Sequence, residues 1–328
     1  MRVLILGGAG FLGKRLTKEV LNNACLSQGA VTHLVAMDVS FPPDMPADPR
    51  LECVAGDFSD ASAIKKALDG KPDLIFHLAA IVSGEAEKDF DRGMKVNFQG
   101  SMLLLELCRK LAIRPRIVFA SSCGVFGGDV TKVVEDDTAA KPRSSYGTEK
   151  AMVELLINDY SRRSFVDGRT VRLPTIAVRP GKPNAATSSF LSAIIREPLN
   201  GKEATYPVPA ETKFWIQSPR RVTENFIHAA NIDENVLGPD RVINLPGLTV
   251  SVKELIDTLE KLTGPQVTRK VVYAPDDFLQ SIVLTWPAHF ETARANKLGF
   301  VRDKSAQEII TAYMEEEGIN DYQTEARR

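Results

Sequence analysis

The chain has 328 residues, 44% hydrophobic and 25% charged, so it can bury a sizeable core and lacks the polar bias of disordered chains. Lys and Arg number 41 against 42 Asp and Glu, a net charge of -1 that argues against a general binder of nucleic acid or of anionic membranes. The length predicts about two domains, or one α/β domain that carries an extra lobe.

Cys25, Cys53, Cys108 and Cys123 are widely spaced and form no C-x-x-C pair, which predicts reduced thiols rather than a disulfide frame or a zinc site. His33, His77, His228 and His289 are equally scattered, so no metal site is expected. No secretory signal precedes the first strand, and the longest apolar stretch, residues 74–82, is interrupted by His77 and too short to span a bilayer. A cytoplasmic protein with no membrane segment is the expectation.

The first element is an apolar run, Val3-Leu4-Ile5-Leu6, read as a strand buried on both faces. Gly7, Gly10 and Gly13 then turn the chain into a helix with Leu12, Leu16, Val20 and Leu21 on one side. Glycine suits such a turn because positive φ, close approach to a pyrophosphate and tight helix–strand packing all exclude a side chain. The helix N-terminus offers free N–H groups to phosphates, with Phe11 and Leu12 in its first turn beside Gly7 and Gly10 as cofactor contacts. By itself the glycine motif is weak, and a ligand-free turn reads the same way. A second strand over 32–37 ends at Asp38, close to where a dinucleotide fold places the acid that accepts hydrogen bonds from the adenosine ribose. That carboxylate repels a 2′-phosphate, so NAD is expected over NADP.

Further strands are predicted at 51–55, 73–80, 116–120 and 170–174, alternating with helices near 60–69, 102–111 and from 144 on. This is the pattern of a doubly wound parallel sheet of the Rossmann type, whose ligands sit at the carboxyl ends of the strands. Residues 175–220 change texture, rich in Pro, Ser, Thr and Gly, and suggest a smaller substrate lobe. The domain expectation is a dinucleotide-binding domain over 1–174, with 214–246 returning to its sheet, and a substrate lobe over 175–213 and 247–328. Within that lobe a helix is expected over 252–262, a strand over 267–272 and a charged helix near 305–317.

Tyr146-Gly147-Thr148-Glu149-Lys150 puts a phenol and an ammonium four residues apart, on one face of a helix. A free tyrosine, with a pKa of about 10, is a poor base at neutral pH, and a nearby cation favours its phenolate. Ser122, after the fifth strand, is placed to hold a substrate hydroxyl or carbonyl toward Tyr146. Taken alone, Y-x-x-x-K also occurs by chance as a surface pair.

The full constellation is more specific. Gly7-x-x-Gly10-x-x-Gly13, Asp38, Gly56-Asp57-Phe58, His77-Leu78-Ala79-Ala80, Asn97-x-x-Gly100, Ser121-Ser122 and Pro142-x-Ser144-x-Tyr146-Gly147-x-x-Lys150 occur in order. This resembles the extended short-chain dehydrogenase/reductase family, which includes NAD-dependent epimerases and dehydratases, densely over residues 1–180. The resemblance implies Tyr146 as acid/base, Lys150 as its modulator and a contact of the nicotinamide ribose, and Ser122 as the substrate-orienting hydroxyl. It further implies Asp57 and Phe58 beside the adenine, Leu78, Ala79, Ala80 and Asn97 along the cofactor, and Pro174 and Ile176 near the nicotinamide. A homodimer through helices corresponding to 92–112 and 146–163 is also implied.

Two departures narrow the reaction. Cys123-Gly124 stands where the family's dehydratases carry an acidic pair, and Lys213-Phe214-Trp215-Ile216-Gln217-Ser218-Pro219-Arg220-Arg221 departs from the pattern of nucleotide-sugar enzymes. Residues 172–190 and 214–219 are instead similar to those of dehydrogenases that oxidise a four-carbon sugar acid to its 2-keto acid with NAD. A sugar acid needs a cation for its carboxylate and short polar groups for its hydroxyls. Arg179, Lys182, Asn184, Thr187, Ser188 and Ser189 are candidates, with Ser83 from the loop after the fourth strand. Arg179 is the expected carboxylate ligand, ahead of Arg196 and Arg220. Two other readings stand beside this one: an epimerase that retains its cofactor, and a dinucleotide sensor, against which the intact Ser122, Tyr146 and Lys150 argue.

Overall fold

The computed structural model describes residues 1–22, 26–128, 133–181 and 186–319, which divide into two compact units. The first comprises Met1–Val125, Ser145–Leu173 and Thr223–Leu245. Its chain alternates strand and helix except that a loop joins β2 to β3: β1 (Arg2–Leu6), α1 (Phe11–Asn22), β2 (His33–Asp38), β3 (Leu51–Ala55), α2 (Ala61–Leu68) and β4 (Leu74–His77). A π-helical segment, Met94–Gly100, runs into α3 (Ser101–Lys110), followed by β5 (Arg116–Ser122), α4 (Ser145–Arg162) and β6 (Asp167–Leu173).

The expected doubly wound sheet is present. Seven strands lie in the order Val242–Asn244, β6, β5, β4, β1, β2, β3, and every pairing is parallel. The strand order reverses beside β1, where β2 and β4 flank it, and that switch point opens a crevice at the carboxyl ends. Period-two alternation sends successive side chains to opposite layers. Ile75 joins Leu4, Ile117, Leu104 and Val153 in one core, while Phe76 meets Phe226 edge-to-face at 6.4 Å. At the amino ends, Asp167 sits among three arginines, accepting from Arg116 Nε at 2.9 Å and pairing with Arg169 and Arg241. Burial pulls the Arg169 guanidinium down to about 10 although Asp167 opposes the shift, so this cluster ties strand starts together at a desolvation cost.

The second unit comprises residues 126–144, 174–222 and those from Pro246 on. Lys213–Gln217 is the centre of a three-stranded sheet, parallel to Thr175–Ile176 and antiparallel to Leu248–Ser251. Helices Ser189–Leu199, Val252–Thr263 and Ala306–Glu316 close a core that includes Phe190, Ile194, Phe214, Leu255, Leu259 and Ile309. Of residues 214–246, therefore, Val242–Asn244 joins the large sheet, whereas the apolar run at Phe214 pairs within the second unit. Residues 267–272 divide in the same way: Pro265 opens a helical turn to Thr268, and the strand is Val271–Tyr273. Among the described residues no helix is long and apolar enough to cross a membrane. Cys53 is exposed and Cys108 and Cys123 are buried, all three as free thiols; Cys25 lies outside the described residues.

Candidate active site

The turn after β1 explains its glycines individually. Gly7 has φ of 81°, and a Cβ there would lie 2.8 Å from the Ala79 amide nitrogen. A Cβ on Gly13 would lie 2.1 Å from the Gly7 carbonyl, so α1 is seated directly on the turn. Gly10 is different, with its closest atom at 3.4 Å, and it borders a cleft of about 350 Å³. Gly7, Asp38, Asp57, Phe58 and the stretch from Leu78 to Ile81 line the same cleft. Asp38 is held by two backbone N–H groups, from Ala9 at 3.0 Å and Val39 at 2.8 Å. The Ser59 amide and hydroxyl, each at 2.7 Å, hold the Asp57 carboxyl below its ordinary value.

These features fit a dinucleotide: a side-chain-free turn at a helix N-terminus for the phosphates, an anchored carboxylate for a ribose, and an apolar wall from Phe58 to Ile81. Phe11 and Leu12 occupy the first turn of α1 but are not among the residues lining the cleft. Nor is Asn97, which is buried beneath its wall.

The candidate reactive groups stand on β5 and α4. Ser122 ends β5, and its Oγ accepts the Gly124 N–H at 3.0 Å, leaving the hydroxyl proton to donate outward. Tyr146 lies in the first turn of α4, and its ring is 5.6 Å from Lys150 Nζ. Lys150 is 2% exposed; its ammonium donates to the Ala120 carbonyl at 2.9 Å and lies 4.7 Å from the centre of the Phe119 ring. Burial pulls the Lys150 pKa down to about 8, with Glu149 and Glu154 opposing the fall. The aromatic faces favour the cation while withholding water.

Two buried networks surround this lysine. Glu154 receives the Ser121 hydroxyl and accepts from two of the three Arg172 guanidinium nitrogens, Nε at 3.0 Å and Nη2 at 2.7 Å. His77 Nε2 is 2.8 Å from Ser101 Oγ, whose hydroxyl donates to the Asn97 carbonyl at 2.6 Å. Because the serine proton is committed, the imidazole carries its proton on Nε2. Burial and the nearby Lys150 charge push His77 well below its ordinary pKa, so it is neutral between the Phe58 and Phe119 rings. Sequence reasoning missed Gly124, Glu149 and Glu154. The two glutamates fall in one helical stripe with Lys150, Val153 and Ile157, a periodicity that marks them as buried.

In the first unit, Ser83 opens the short helix Ser83–Lys88. The second unit holds the remaining candidates. Arg179 donates its backbone N–H to Ser192 Oγ at 3.0 Å and its Nε to the Ile176 carbonyl at 3.1 Å. Arg196 is 4% exposed and donates to the Arg179 carbonyl at 2.8 Å and to Glu197. Arg220 is paired with Glu315 and Glu316, which removes it as a ready carboxylate ligand. Pro174 precedes the strand Thr175–Ile176, in which Ile176 is buried. Thr187 and Ser188 are buried before the helix that opens at Ser189, while Asn184 and Lys182 lie outside the described residues.

Comparison with known proteins extends beyond these motifs. The chain is 48% identical over 323 residues to D-erythronate dehydrogenase of Cupriavidus necator, covering 97% of this chain and 99% of that one. It is 43% identical over 317 residues to D-erythronate dehydrogenase of Haemophilus influenzae, covering 96% and 99%. A crystal structure described as the nucleoside-diphosphate-sugar epimerase from Agrobacterium tumefaciens superposes with a TM-score of 0.92 at 41% identity, covering 98% of this chain and 96% of that one. Residues 3–221 match the model of the NAD dependent epimerase/dehydratase family, and on that match, with relatives aligned nearly end to end, the chain belongs to this family.

Proposed function

We propose that the protein oxidises the C2 hydroxyl of a short sugar acid, D-erythronate, to its 2-oxo acid with NAD. The observation that carries this reading is Ser122, Tyr146 and Lys150 together on β5 and α4, in a chain 48% identical to a D-erythronate dehydrogenase along almost its whole length. Tyr146 takes the proton of the C2 hydroxyl as its phenolate. The Lys150 ammonium favours that phenolate, and its remaining N–H donors suit ribose hydroxyls. Ser122, with its oxygen fixed by the Gly124 N–H, donates its own proton to the reacting substrate oxygen. NAD supplies the hydride acceptor when bound. One O–H and one C–H bond break at C2 and a carbonyl forms, with a proton and a hydride leaving.

Asp38 supports NAD over NADP, since its anchored carboxylate accepts ribose hydroxyls and repels a 2′-phosphate. Pro174 and Ile176 are read as nicotinamide contacts. Arg179 is read as the carboxylate ligand, with Ser83, Asn184 and Ser188 for the hydroxyls. Met102, 40% exposed, and Leu155, 72% exposed, support a homodimer through α3 and α4. A cytoplasmic setting accords with the cysteines present as thiols.

An epimerase that retains its cofactor is the second reading, favoured by the likeness to the structure described as a nucleoside-diphosphate-sugar epimerase. NADH absorbance across C3–C6 aldonic acids separates the two. Stoichiometric NADH from D-erythronate is expected; an epimerase returns the hydride and gives no net signal.

A further inference from the structure

Glu149 stands immediately before Lys150 on α4 and is fully buried, a costly site for a carboxylate. Its partner is Asn97, and the orientation of that amide is fixed by Ile81. The Ile81 N–H donates to Asn97 Oδ1 at 2.7 Å, and Asn97 Nδ2 donates back to the Ile81 carbonyl at 3.0 Å. The second Nδ2 proton goes to Glu149 Oε2 at 2.6 Å, so that oxygen is an acceptor and needs no proton. The other oxygen, Oε1, is buried without a hydrogen-bond partner against Gly93, where an added Cβ would come within 2.5 Å of it. Ile81 itself lines the cofactor cleft.

The charged groups nearby are few. Glu149 and Glu154 on the same helix act on Lys150, burial and the Lys150 charge in turn keep His77 of β4 neutral, and Glu87 of the helix Ser83–Lys88 acts on Glu149. Glu154 is already answered by the Arg172 fork, whereas Glu149 forms no salt bridge among the described residues. Burial pushes the Glu149 carboxyl up, while the Asn97 bond and Lys150 pull it back.

We propose that Glu149 is a positioning residue with two effects: it locks the Asn97 amide that holds the Ile81 peptide in the cleft wall, and its buried negative charge keeps the Lys150 ammonium charged. The inference rests on the reading of Lys150 as modulator of Tyr146. Removing the charge alone therefore shifts the pH at which Lys150 fails, whereas loosening the Asn97 amide weakens NAD binding at every pH.

The test is the pH profile of NADH formation from pH 6 to 10 for wild type, Glu149→Gln, Glu149→Asp and Tyr146→Phe. Glu149→Gln keeps an acceptor for Asn97 and is expected to move the alkaline limb down by about one pH unit, with rates recovering toward pH 6.5. Glu149→Asp keeps the charge, so its limb stays at the wild-type pH while KM for NAD rises by about tenfold. A Glu149→Gln profile that superimposes on wild type after uniform scaling overturns the proposal. If that variant does not fold, a Glu149→Asp limb displaced by about a full pH unit overturns it equally. Should Tyr146→Phe keep full activity, the reading of the site fails; an inactive Tyr146→Phe beside an unmoved Glu149→Gln profile sinks this inference alone.

Discussion

Lys150 holds its charge where burial opposes it, and both its structural cost and the role proposed for it follow. Its folded pKa, about 8, lies below the ordinary 10.5. Below pH 8 the folded and unfolded chains both bind the proton, and the cost of burying the ammonium is felt in full. From pH 8 to 10.5 the unfolded chain keeps a proton the folded one releases, so stability rises with pH and the cost disappears. Lys150→Met is accordingly expected to gain about 1–3 kcal/mol against urea at pH 7, a gain that vanishes above the ordinary lysine pKa. The same variant is expected to lose turnover and NAD affinity together, since the proposed mechanism assigns one ammonium to both phenolate and ribose; a loss of affinity alone would remove its role at Tyr146. In the free enzyme, kcat/KM is expected to fall above about pH 8, where the lysine discharges, and a pH profile of kcat/KM checks it.

At the level of elements, the glycines of the turn differ in what a side chain would meet, backbone at Gly13 and the open cleft at Gly10. Gly13→Ala drives a methyl into the Gly7 carbonyl, a backbone clash expected to cost about 1–3 kcal/mol and to weaken NAD binding as α1 is displaced. Gly10→Ala meets nothing closer than 3.4 Å, so its melting temperature stays near wild type while NAD affinity falls, the methyl projecting where the phosphates approach. Calorimetry with NAD titration on both variants checks the contrast; equal destabilisation would contradict it. The main elements of the first unit were readable in the sequence because parallel strands buried on both faces are plain apolar runs between glycines and caps. The run at Phe214 was not assignable, since its pairing with Thr175–Ile176 and Leu248–Ser251 is long-range and leaves no local trace. The spacing of Tyr146 and Lys150 was equally plain, but the pairing of Glu149 with Asn97, 52 positions earlier, is long-range and leaves no local trace. Arg220 drew attention as a spare cation; only the fold brings Glu315 and Glu316 to it.

For the whole molecule, the sheet's switch point, the glycine turn and Asp38 gather at one end of the strands, and the amino ends carry the Asp167 cluster instead. The candidate site and the Asp167 cluster thus lie at opposite ends of one sheet. The same arrangement serves dehydrogenases and epimerases, so the fold does not choose between net oxidation and hydride return. That choice is read from product. Purified protein mixed with NAD and D-erythronate, followed at the reduced-nicotinamide absorbance for wild type and Tyr146→Phe, tests the central claim most directly. The account predicts one NADH per 2-oxo acid formed and a rate lower by about 10²–10⁴-fold in the variant. Turnover of D-erythronate without net NADH, or full activity in Tyr146→Phe, would contradict it.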